Sequence, residues 1–265
     1  MRIWAVANQK GGVGKTTTVV ALGDLLASRG ERVLMLDMDP HGSLTSWFGY
    51  DPDRLKHSLF DLFQHQGKVP EGLPAQLIID TGVPNLSLLP ASTALATLER
   101  RMTGVEGMGL LISRALAQLR DDFDCVLLDN TPTLGVLMVN GLAAASHLVI
   151  PVQTEFLAIK GLERMLHTLH MIGRSQKNPL SYTIVPTLFD RRTQASIKSL
   201  NLLRDTYPHQ LWRFAIPVDT KFRDASQAGS VPSAIDANTH GVRAYRRLLD
   251  DLLAQTGTWR EPFGG

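Results

Sequence analysis

Apolar residues are distributed along the chain in two rhythms. Short, nearly unbroken runs of strand length recur at Ile3 to Ala7, Val33 to Leu36, Leu86 to Leu89, Cys125 to Leu128, Leu148 to Val152 and Thr183 to Val185. Between most of them lie segments with apolar positions at helical spacing: Thr16 to Ser28, Gly109 to Leu119, Gly135 to Ala144, Ile159 to Ile172, Gln194 to Thr206 and Val242 to Leu253. Strands that are hydrophobic throughout must be covered on both sides. The alternation therefore predicts an α/β fold, a doubly wound, mainly parallel sheet with helices on both faces. Such sheets bind ligands at the carboxyl ends of their strands, and the polar motifs of this sequence fall there.

The first run leads directly into Lys10-Gly11-Gly12-Val13-Gly14-Lys15-Thr16-Thr17, with the following helix opening inside it. Strand, glycine loop, Gly-Lys-Thr and helix in this order form the Walker A pattern of a P-loop nucleotide site. Glycines let consecutive N–H groups turn toward phosphate oxygens, and the helix N-terminus adds its positive end. Gly11, Gly12, Val13, Gly14, Lys15, Thr16 and Thr17 are thus expected to hold ATP or ADP, with Lys15 bridging the β- and γ-phosphates and the Thr16 hydroxyl on Mg²⁺. Two more carboxylate stations stand at strand ends: Asp37-Met38-Asp39 and Asp129. Carboxylates there suit a hydrated Mg²⁺ and an attacking water.

With 265 residues, 44% of them hydrophobic, the chain has material for one core. We expect a single domain over 1–255 and a flexible tail over 256–265. No apolar run approaches the roughly 20 residues of a membrane span. The N-terminus reads as a strand and not a leader, so a cytoplasmic protein without membrane insertion is expected. The lone Cys125 excludes an internal disulfide framework and a zinc site of several thiolates. A formal charge of +2 does not by itself announce nucleic-acid binding.

Lys10 adds a second lysine at the start of the loop. With it, the sequence resembles the deviant Walker A ATPases, the family of the partition ATPase ParA and the division-site regulator MinD, over nearly the whole chain to about Gln255. The resemblance implies that Lys10 reaches the nucleotide of a second subunit, so that ATP binding and homodimer formation are one equilibrium. It makes Lys10, Lys15 and Asp39 catalytic, with Asp39 positioning the hydrolytic water. Thr16, Asp37 and the Walker B acid Asp129 form the metal set, and hydrolysis is slow and stimulated by a partner. Thr187, Pro217 and Asp219 match segments around adenine. Asn130-Thr131 departs from the commoner Cys or Thr followed by two prolines.

Within the family, the acidic C-terminal stretch Leu248 to Gln255 argues against membrane cycling, and a single cysteine argues against a shared iron–sulfur cluster. Leu59 to Phe63, Gly135 to Leu142, Ile150 to Glu163 and Val218 to Ser226 are similar to the ParC branch, which positions polar chemotaxis arrays. This implies a chemotaxis-array adaptor or partition partner protein, and a location at the pole or on the nucleoid. Arg191, Arg192, Lys221 and Arg223 align with basic segments that grip DNA without sequence preference in relatives, with Lys198, Arg204 and Arg213 extending the patch. Read without the resemblance, these are short runs of solvated charge. A chromosome or plasmid partition ATPase, a metabolic ATP-dependent enzyme such as a ligase or synthetase, and a regulator of transcription or flagellar number are the alternatives.

Overall fold

The computed structural model describes residues 1–65, 67–101, 108–173 and 179–256. Seven strands form one sheet: β1 (Arg2–Val6), β2 (Val33–Asp37), β3 (Ile79–Val83), β4 (Leu86–Leu89), β5 (Cys125–Asp129), β6 (His147–Gln153) and β7 (Tyr182–Thr187). Their order is β3-β4-β2-β5-β1-β6-β7. All neighbours are parallel except β3 and β4. The doubly wound, mainly parallel sheet expected from the alternation is present.

Because side chains alternate across a strand, each strand feeds two cores. Trp4, Val6, Met35 and Leu127 face the layer formed by the helices Lys15–Ala27 and His240–Thr256. Ala5, Leu34, Leu36, Val126 and Leu128 face the layer of Leu111–Gln118, Val136–Ala144 and Phe156–Gly173. The Lys15–Ala27 helix is buried on nearly every side from Thr18 onward, which explains why its sequence has no polar stripe.

Register aligns the chemistry. Val6 and Asp37 are both Cα partners of Asp129, so β1, β5 and β2 end at one level and the glycine loop leaves β1 beside two buried carboxylates.

The predicted elements are all present with ends shifted by up to three residues. One of the two largest shifts is at Phe156, where the helix begins three residues before Ile159; its first turn exposes Phe156 and Leu157, so periodicity gave no sign of it. The C-terminal helix runs to Thr256, one residue past the expected domain limit. The rest of the expected tail, 257–265, lies outside the described residues. The antiparallel β3 was not predicted, because this edge strand is only half buried and its first residue, Ile79, is followed by Asp80, Thr81 and Gly82. Five-residue helices such as Ser43–Trp47 and Pro232–Asp236 are too short for a periodic signal.

Candidate functional site

Gly12 and Gly14 have φ of +74° and +88°, values that a side chain would oppose, and Gly14 is the residue on which the Lys15–Ala27 helix starts. Among the described residues, the N–H groups of Gly11 to Thr17 have no protein acceptor, which leaves them for an anion. The loop is held from behind. Thr187 Oγ1 donates to Val13 O at 2.8 Å, and Thr18 Oγ1 to Gly14 O at 2.7 Å, with Tyr245 OH 2.9 Å from the same Thr18 oxygen. Lys15 Nζ lies across the loop, 3.3 Å from Lys10 O. Burial pulls the Lys15 pKa down, while Asp129 and Asp39 pull it back. A buried cation in this position suits a ligand that brings negative charge.

Thr16 Oγ1 donates to Asp129 Oδ2 at 2.6 Å, joining two predicted metal-site residues, and Asp129 Oδ1 is buried without a partner. A buried, unpartnered carboxylate oxygen beside a hydroxyl and a phosphate cradle fits Mg²⁺ or one of its waters. No group of three His, Cys, Asp or Glu side chains among the described residues forms an all-protein cation cage.

Asp37 is different. Its Oδ2 accepts from Thr45 N and Thr45 Oγ1, both at 2.7 Å, and its Oδ1 from Asp39 N at 3.1 Å. With both oxygens accepting hydrogen bonds, Asp37 anchors the turn that carries Asp39, which fits the supporting part in the metal shell that the resemblance implies. Asp39 Oδ1 accepts from His41 N at 3.0 Å. Burial, and for Asp129 the nearby Asp37 charge, raises the pKa of both buried carboxyls. A bound cation would oppose that rise.

The departure at Asn130 is also buried. Its Nδ2 donates to Val6 O and Leu128 O at 3.4 and 3.3 Å, and its Oδ1 faces Gly141 so closely that a Cβ there would lie 2.1 Å away. Asn130 ties the turn after Asp129 to β1 and to the end of its own strand β5, and Gly141 is the glycine this requires.

A cleft of about 400 Å³ opens beside the loop, lined by Gly14, Thr17, Thr187, Pro217, Val218 and Asp219 among others. Thr187 meets it with its side chain turned to the loop. Asp219 accepts from Lys221 N at 3.0 Å and Gly241 N at 2.9 Å. Burial opposes ionisation of Asp219, but these backbone donors prevail and hold its carboxyl below the usual range. Its side chain joins two helix starts, and Asp219 lines the cleft beside Pro217 and Val218. Leu188, with φ +51°, was not singled out from the sequence; it bends the chain so that Phe189 N reaches Ile216 O at 3.0 Å and closes this wall.

The basic residues do not form one free patch. Arg192 is bound by Asp190 through Nε and Nη2, at 2.9 and 2.8 Å, and Lys221 by Asp224 at 2.9 Å. Arg191 and Arg223 are exposed and have no acidic partner among the described residues. No helix of the described residues is long and apolar enough to cross a membrane.

Known proteins share this architecture. The AAA domain family model matches residues 1–182. The sporulation initiation inhibitor protein Soj of Bacillus subtilis is 31% identical over 254 residues, 96% of this chain and 98% of that protein. The chromosome partitioning protein ParA of Caulobacter vibrioides is 30% identical over 258 residues, 96% of this chain and 95% of the relative. Among solved structures, a cobyrinic acid a,c-diamide synthase from Mycobacterium smegmatis with bound ADP and magnesium superposes with a TM-score of 0.81 at 36% identity, covering 98% of this chain and 96% of that one. Cyanothece McdA in its ATP complex has a TM-score of 0.82 at 20% identity, covering 99% of each chain, a likeness of fold. With a glycine loop, a second lysine and strand-end aspartates on this sheet, the chain belongs to the ParA/Soj-type P-loop ATPases.

Proposed function

We propose that this protein is an ATP-gated positioning switch: two copies close on ATP, hydrolyse it slowly under the control of a partner protein, and separate with ADP. Residues 1–255 act as one domain in this reading. The observation that carries it is the loop from Lys10 to Thr17, with open N–H groups, buried Lys15, and Thr16 hydrogen-bonded to Asp129. Mg²⁺ would neutralise phosphate charge as the bond to the γ-phosphate breaks. Around it, the loop amides and Lys15 bind the phosphates, Thr16 and Asp129 hold the metal and its water, and Asp37 fixes the turn from which Asp39 orients the attacking water. Pro217 and Val218 flank the base, and Lys10 serves the partner's nucleotide.

Partitioning is supported by the names of the relatives. The cargo we propose is the polar chemotaxis array, on the similarity of Ile150 to Glu163 and Val218 to Ser226 to the ParC branch, with chromosome or plasmid DNA as the competing cargo. The place of action is then the cell pole or the nucleoid. Non-specific DNA contact falls to Arg191 and Arg223, while Arg192 and Lys221 must first leave their acidic partners.

The 36% identity to a diamide synthase favours a second reading, a metabolic ATP-dependent enzyme. Making an amide needs an ammonia source, and Cys125 cannot release it from an amide donor: burial pushes its thiol up to about 12. Light scattering with ADP and with ATP separates the readings. Dimers that require ATP, vanish in Lys10→Ala and accumulate in Asp39→Ala support the switch; monomers that consume ATP only with a small acid substrate would establish the enzyme.

A further inference from the structure

Lys10, the lysine that marks the subclass, is not free in this chain. Its Nζ forms an ion pair with Glu155 of its own subunit. The residues that carry both groups are held in place. Lys10 N donates to Asn8 Oδ1 at 3.0 Å, Asn8 Nδ2 to Pro151 O at 2.8 Å, and Gln9 Nε2 to Thr168 Oγ1 at 2.8 Å. Three consecutive residues at the entry to the loop are thereby fastened to β6 and to the helix after it. On the acid side, Glu155 N donates to Gln153 O at 2.7 Å, Thr154 N to Thr187 O at 3.1 Å, and Thr154 Oγ1 lies 2.5 Å from Ser196 Oγ. The helix approaches so closely that a Cβ on Gly161 would lie 3.1 Å from Lys10 Cβ. Phe156 and Leu157 follow Glu155 directly and are 64% and 65% exposed, an apolar step at the rim of the site that a second copy of the chain would cover.

We propose that Glu155 is a positioning residue that keeps Lys10 within its own subunit until a second ATP-bound copy presents its phosphates, so that the Lys10–Glu155 pair sets the ATP concentration at which dimers form. The proposal rests on the dimer switch described above. One ammonium cannot serve both partners: Lys10 must leave one carboxylate to reach a polyphosphate, and the lost pair subtracts from the energy of dimer closure. Both side chains of the pair are partly exposed, so solvent limits its strength. A pair of this kind shifts an equilibrium by up to about fivefold. Such a latch tunes a threshold without blocking the switch.

The test titrates Mg-ATP into Asp39→Ala, in which hydrolysis does not drain the dimer, and follows mass by light scattering with and without Glu155→Gln. We expect Glu155→Gln to lower the midpoint ATP concentration for dimers about two- to fivefold, with Glu155→Asp in between. Affinity for a fluorescent ADP should stay the same, and the melting temperature without nucleotide should fall by no more than about 2–4 °C, since the same pair stabilises the free subunit by up to about fivefold, or about 1 kcal/mol; a merely structural role for Glu155 would instead weaken dimers and ADP binding together. An unchanged or raised midpoint in Glu155→Gln would overturn the latch, the second result assigning Glu155 to the dimer contact itself. Monomers at every ATP concentration in Asp39→Ala alone would instead overturn the dimer reading, and the latch with it.

Discussion

At the phosphate end of the cleft, Asp37 and Asp129 are 0% and 1% exposed, and the Asp37 carboxylate is held by three donors. At the end of the cleft proposed for the base, Val218 is 49% exposed, and the nearby Asp219 carboxylate accepts from the starts of two helices. The first region is held by groups that can move only if neighbours lose their hydrogen bonds. The second is a loop wall that can shift at little cost. The contrast follows from the ligand: developing charge needs dipoles fixed in advance in a site of low dielectric, whereas a flat base tolerates an adaptable surface.

The hardest blow to the rigid end is Lys15→Ala, which should lower ATP turnover by about 100-fold or more, measured as phosphate release, because among the described residues Lys15 is the one buried Lys or Arg, and it lies at the phosphate loop. Asp37→Ala comes next. It leaves Thr45 N, Thr45 Oγ1 and Asp39 N without their acceptor and should cost about 2–4 kcal/mol in urea unfolding.

The same burial sets a pH dependence. Asp37 and Asp129 have carboxyl pKa values raised above the ordinary 3.8. A raised acid favours the fold while protonated and loses that contribution as pH climbs through its folded pKa. The nucleotide-free protein should therefore lose stability between pH 4 and the raised range. In Asp129→Asn the loss should shrink by about 1 kcal/mol, or about 2–4 °C in melting temperature. A parallel decline in both proteins would show that other groups govern it.

Thr187→Val probes the link between the two ends, since Thr187 lines the cleft and holds Val13 O. One lost hydrogen bond of about 1 kcal/mol should weaken nucleotide binding roughly fivefold in a fluorescence titration. The smallest effects belong to the exposed rim. Arg191→Ala or Arg223→Ala should each lower the salt slope of DNA binding by about 1, and Arg192→Ala by less, because Asp190 already neutralises it. Equal slopes for the three variants would remove the distinction between paired and free arginines.

Much of the rigid end was legible in advance because its signals are local. A glycine loop between a strand and a helix needs Gly12 and Gly14 at positive φ, and consecutive residues supply it. The strands were legible for a related reason, since a strand buried on both faces must be apolar throughout. What escaped depends on distant partners. For Asp37 the partner is Thr45, which takes one of its oxygens. Arg192 and Lys221 read like a basic patch until the acids of their own turns are seen to bind them. Leu188 carries no signal, because its left-handed backbone is imposed by the bridge from Phe189 to Pro217.

By itself, the sequence determined the class of sheet, the phosphate loop and the three aspartates at strand ends, since each is written in neighbouring residues whose backbone geometry or burial leaves few choices. Only the tertiary structure decided which carboxylate keeps a free oxygen, that Lys10 is held by Glu155, 145 residues away, and which arginines remain unpaired. Those outcomes depend on side chains from separate elements competing for the same donors and acceptors, and that competition exists only once the strands lie in register.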